Sequence, residues 1–188
     1  MLKQLLLSTL LLVLPAVVDS DYAPKNNFIA HYAGTKNLWD ARMGIYSPDE
    51  LDDFVRATYV GTAGDKVLCE ALAGISILEC GPKIRVRDKT GHLGGHKTTI
   101  RVGAREAGIA KKLTYQDLRH FTRYERTLSL SKHFAVLYRH YNGDLEKTCR
   151  VWNKGPKWKN EKAGCYWRGV QTFAKIYDSA RPSQTDGD

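Results

Sequence analysis

The chain has 188 residues and a formal charge of +9, with 43% hydrophobic and 26% charged residues. That balance excludes a disordered polyelectrolyte and a polytopic membrane protein, and leaves room for one domain with a real core. The excess of Lys and Arg first suggests nucleic acid. The leader read next argues against it and turns the expectation to an anionic cell envelope.

Residues 1–20 read as a secretory signal. Lys3 supplies the positive start, and Leu5 to Val18 form a fourteen-residue apolar run interrupted by Ser8, Thr9 and Pro15. Val18-Asp19-Ser20 offers small residues where a signal peptidase reads. The run is shorter than the ~20 residues of a membrane span, so an exported protein of periplasm or cell wall is expected, with no span after cleavage. A retained signal-anchor is the lesser alternative.

Residues 21–46 carry mixed signals and are expected to wrap the surface. Ser47-Pro48-Asp49-Glu50 is a helix start, with a Ser cap, Pro in the first turn and Glu three residues on. Leu51, Phe54, Val55 and Tyr59 follow as one apolar face. A second helix begins near Asp65, its stripe Leu68, Leu72 and Ile75 continuing four residues later at Glu79. A carboxyl on that face, where the helix gives out, meets a desolvated setting that disfavours the charged form and suits a general acid. The competing reading is a charge that snorkels to water at a frayed end.

Gly81 to Gly108 contains six glycines and seven Lys or Arg in 28 residues, a loop-like composition. Two alternating runs inside it, Lys83–Arg87 and Thr99–Val102, predict a small β-hairpin beside Glu79. Helices resume near Ala104. Thr114 and Asp117 are expected to cap another. Leu130, Phe134, Leu137 and Tyr141 then repeat at helical spacing up to Gly143. Leu145, Cys149 and Trp152 form the inner face of a short helix ended by Gly155-Pro156. Tyr166, Val170, Phe173 and Tyr177 mark the last helix, and residues 179–188 read as a disordered tail. The expected fold is mainly α, one domain over residues 47–178.

Four cysteines in an exported chain suggest disulfides. On one helix, Cys69 and Cys80 would stand roughly 16 Å apart, beyond the ~7 Å that a bridge tolerates. Cys149 and Cys165 bracket the Gly-Pro loop and are the candidate pair. If all four are bridged, Cys69 and Cys80 must each reach one of these.

Several stretches together resemble the lysozyme-like lytic transglycosylases, the family with the Slt-type catalytic domain. Ile77-Leu78-Glu79-Cys80-Gly81 is similar to the family's helix ending in Glu-Ser-Gly. Thr90-Gly91-His92-Leu93-Gly94 sits where the family has Gly-Ala-x-Gly-Leu-Met-Gln. Ala104-Arg105-Glu106-Ala107-Gly108 resembles Thr-Ala-x-x-Leu-Gly. Tyr141 to Leu145, then Trp152-Asn153-Lys154-Gly155-Pro156, looks like the segment ending in Ala-Tyr-Asn-Ala-Gly-Pro, followed by the Tyr166 and Val170 pair. The resemblance spans roughly residues 48–177. Cys80, Lys97 and Trp152 depart from the family's Ser, Gln and Tyr.

The resemblance implies a lysozyme-like α+β domain that cleaves the β-1,4 bond between N-acetylmuramic acid and N-acetylglucosamine in peptidoglycan, with Glu79 as the one catalytic carboxyl and no cofactor. It implies glycan strands as partner, with docking to a secretion or phage apparatus as a further option. Asn153, Trp152, Lys97 and Tyr138 are the candidate substrate contacts, Trp152 being at least as readily core, and the phage-lysozyme-like hairpin adds Thr99. A second reading, similar to phage-type lysozymes, adds Asp88 as a carboxylate that activates water for hydrolysis. In so basic a segment, however, Asp88 is read more readily as the ion-pair partner of Arg85, Arg87 or Lys89. A third reading is a non-catalytic wall-binding or assembly protein. Glu106 is the reserve candidate for the acid. His92 and His96, four apart in a Gly-rich loop with no third ligand at a recognisable spacing, are not read as metal ligands and, with Lys97, offer contacts to glycan or stem-peptide carboxylates.

Overall fold

The computed structural model describes residues 25–42, 47–80, 93–109, 114 and 117–179. Among them the protein is all-helical, with seven α-helices. They are α1 (Lys25–Arg42), α2 (Pro48–Thr62), α3 (Lys66–Cys80), α4 (Lys97–Glu106), α5 (Arg123–His140), α6 (Leu145–Lys154) and α7 (Glu161–Asp178). Single 3₁₀ turns lie at Asp117–Arg119 and Gly155–Lys157. No described helix is long and apolar enough to cross a membrane.

The start of α2 is as the sequence predicts: Ser47 and Glu50 form a reciprocal capping box. Asp65 caps α3 by accepting from the Leu68 amide at 3.0 Å. From Leu68 to Ile77 nearly every side chain of α3 is buried, Leu72, Ala73 and Ile75 completely. A helix apolar all round belongs inside a bundle, and α1, α2, α5 and α7 all pack against it. Helix α5 adds Leu130 and Phe134 to the same core and supports α2 and α4. The crossing of α4 on α5 is close. A Cβ on Gly103 would lie 1.9 Å from the Ser129 carbonyl oxygen, so only glycine fits there.

Four expectations need correction. Residues 25–42 are no surface wrap: they form α1, and Leu38 and Trp39 are fully buried. Thr99–Val102 is no strand, because α4 turns Ile100, Gly103 and Ala104 inward at helical spacing onto α5. The β-branched residues that suggested a strand are overruled by that packing. The partner run, Lys83–Arg87, lies outside the described residues. Helices accordingly resume at Lys97 rather than Ala104. Thr114 and Asp117 bond reciprocally around the short 3₁₀ turn, while α5 starts from its own capping box, Thr122 with Glu125.

Helix α1 is tied down by a buried polar cluster. The Thr58 hydroxyl donates to the Phe54 carbonyl at 2.8 Å, so His31 Nε2 donates to Thr58 Oγ1 at 2.7 Å. His31 Nδ1 is then the acceptor, taking the Tyr177 hydroxyl at 2.8 Å. Burial holds the imidazole neutral, its pKa lowered to about 3. Because the folded value lies below the unfolded 6.5, stability is complete above that pH and is lost as pH falls toward 3. About 2 kcal/mol should be gone by about pH 5. Thermal midpoints across this range should flatten in His31→Gln. An equal slope in both proteins would refute the linkage.

Candidate active site

Glu79 is the penultimate residue of α3, half-buried where the helix ends. Its carboxylate oxygen Oε1 accepts from the Tyr166 hydroxyl of α7 at 2.9 Å. On another side, the Leu93-Gly94-Gly95 segment presses against it. Leu93 is fully buried and anchors that segment. At Gly95 a Cβ would meet Leu130 of α5 at 2.1 Å. Gly94 has φ +64°, and a Cβ there would lie 2.9 Å from Glu79 Cβ and 3.0 Å from Oε2. Only glycine combines that backbone with that approach. The carboxylate is therefore held from both sides: a phenol donor fixes its orientation and a bare backbone walls it in. Such a group can exchange a proton with a ligand at the helix end without first having to be ordered.

The other predicted site residues are dispersed by comparison. Trp152 packs edge-on against Phe134, ring centroids 5.4 Å apart, and lies tilted 6.3 Å from His133. It continues the Leu145-Cys149 stripe, so its ring is part of the core margin. Asn153 is half-buried in the last turn of α6; the C-cap is Gly155, at φ +53°. Lys97 is exposed at the first position of α4, and Thr99 lies half-buried on the same helix. His96 caps α4, Nδ1 accepting from the Thr98 amide at 3.3 Å. Tyr138 is half-buried beside Gly143. Glu106 is engaged with His133 Nδ1 at 3.0 Å. Asp88 and His92 lie outside the described residues. Among the described residues, no group of three His, Cys, Asp or Glu side chains could hold a metal ion.

The Cys149–Cys165 bridge is a further correction: both thiols are free, as is Cys69. Cys149 is fully buried, whereas Cys165 is exposed and accepts from Arg168 at 3.0 Å. Helix α7 packs on α6, and a Cβ added at Gly164 would lie 3.5 Å from the Arg150 guanidinium of α6. One residue on, the helix has turned Cys165 about 100° away from that contact. Burial pushes the thiols of Cys149 and Cys69 up to about 12, so both stay protonated and unreactive at neutral pH. A reducing agent should leave the melting temperature unchanged. Native labelling should reach Cys165 but not Cys69 or Cys149. A midpoint that falls on reduction would restore a bridge.

Sequence reasoning missed how Tyr166 is used. It stood on an apolar stripe, yet a buried tyrosine needs a partner for its hydroxyl, and that was the available signal. The Glu106–His133 contact, across 27 residues, had no signal in spacing. No family model matches this chain, and neither does any curated protein or solved structure.

Proposed function

We propose that this protein is an exported, lysozyme-like lytic transglycosylase that cleaves the MurNAc-GlcNAc β-1,4 bond of peptidoglycan with Glu79 as its only catalytic carboxyl. The observation that carries the reading is the convergence on Glu79. Tyr166 donates to it at 2.9 Å and Gly94 closes on it, and all three residues come from separate stretches that resemble the family.

One carboxyl suffices when the substrate assists. Protonated Glu79 gives its proton to the glycosidic oxygen as the bond to the muramoyl C1 breaks, and the 2-acetamido group stabilises the cationic sugar. The Glu79 carboxylate then takes the proton of the muramoyl 6-hydroxyl, whose oxygen closes on C1. The products are a 1,6-anhydro end and a free 4-hydroxyl, with no water consumed. Tyr166 would hold the carboxylate between the two steps.

The hydrolytic alternative adds a second carboxylate, Asp88, that activates water. The hairpin that would have presented one beside Glu79 loses its second strand to α4. Mass analysis of muropeptides from digested sacculi tests the reading. Anhydro ends support it, reducing ends would move the assignment to a hydrolase, and no release would leave a wall-binding protein.

A further inference from the structure

The corner where α6 passes into α7 concentrates positive charge that the cleavage chemistry does not use. Residues 147–162 hold Lys147, Arg150, Lys154, Lys157, Lys159 and Lys162 against one acid, Glu161. Arg150 is committed to Glu146. Two of the five lysines, Lys147 and Lys159, stand over the rings of Tyr141 and Trp158. The Lys147 ammonium stands 4.7 Å from the Tyr141 centroid and 5.3 Å from that of Trp158. Lys159 lies 5.4 Å from the Trp158 centroid. Contacts of this kind restrain otherwise flexible lysine chains and so reduce the entropy lost on binding an anion.

The corner adjoins the candidate acid. Lys162 is one helical turn before Tyr166 and on the same side of α7, about 6 Å away along the axis. Helical side chains lean toward the N-terminus. Tyr166 therefore reaches Glu79 from the end of α7 where the lysines gather.

We infer that this corner binds the acidic peptides carried by the glycan, so that the substrate is a peptide-bearing strand and not a stripped one. The inference rests on the glycan-cleaving role proposed for Glu79. Charge complementarity points to carboxylates. A lipid surface fits less well, because it needs an apolar side chain to insert. None of the large hydrophobic side chains exposed among the described residues lies in this corner, and Trp158 is half-buried beneath its lysines.

The test uses the full chain carrying Glu79→Gln, which binds without cutting. It is sedimented with intact sacculi and with sacculi stripped of peptides by an amidase. Adding Lys157→Glu, Lys159→Glu and Lys162→Glu should weaken binding to intact sacculi by about tenfold and leave binding to stripped glycan unchanged. The corresponding triple Gln variant should fall between, and equal melting temperatures should show all proteins folded. Equal binding of intact and stripped material by the parent protein would overturn the inference. So would a charge reversal that abolishes binding to phosphatidylglycerol vesicles while sparing sacculi. Wild-type product analysis separates the two ideas. Anhydro ends released from both materials, with equal binding, overturn the peptide assignment alone. A binding difference without any release overturns cleavage alone.

Discussion

Glu79→Gln should fold like the wild type and lose glycan cleavage by ~10²–10⁴-fold, the usual loss when a general acid is removed. The amide keeps the shape of the carboxyl, and its oxygen can still accept from Tyr166, so the walls of the site stand. What disappears is a proton that can be given and taken back. Tyr166→Phe should produce a smaller loss, on the order of tenfold, because it removes one hydrogen bond to the carboxylate and none of the chemistry. The order of the two effects is the diagnostic. Were Glu79→Gln to keep near wild-type turnover, the acid would lie elsewhere. Glu106 would come next, although it is already engaged with His133 at 3.0 Å.

Trp39→Ala should destabilise the protein by ~3–5 kcal/mol, a large part of the ~5–15 kcal/mol that a domain possesses. The ring is fully buried. Its Nε1–H donates to Ser76 Oγ of α3 at 3.1 Å, and its centroid lies 5.1 Å from Phe54 of α2. Ser76 spends its own hydroxyl proton on the Ala73 carbonyl, which leaves its oxygen to accept from the indole. Truncation would leave a cavity where three helices meet. Urea or thermal unfolding measures the loss, with Ile29→Ala, on an exposed part of α1, as a control within about 0.5 kcal/mol. A Trp39 effect as small as that control would mean that α1 merely rests on the bundle.

Features that depend on neighbours along one helix are legible in the residue order alone. The Ser47–Glu50 cap, the α5 stripe through Leu130 and Phe134, the Gly155 stop and the placing of Glu79 at the end of a buried helix are all written in local spacing. Helix α1 was hidden because its inward face is half polar. His31 and Thr35 share it with Leu38 and Trp39, and their partners, Thr58 and Tyr177, come from α2 and α7. Hydropathy cannot register a polar group that will be satisfied from 146 residues away. Likewise Thr99–Val102 alternates like a strand until Gly103 lets α4 touch the backbone of α5. Cys149 and Cys165 bracket one loop, yet only the packing of α6 and α7 decided that the first thiol is buried and the second exposed. At the candidate site the division is the same. Spacing put a carboxyl on a buried face, but the phenol that orients it lies 87 residues on, and no apolar periodicity in the sequence leads from Glu79 to the glycine that walls it in. One-dimensional periodicity records which side of an element is buried; which groups meet there depends on how the helices cross.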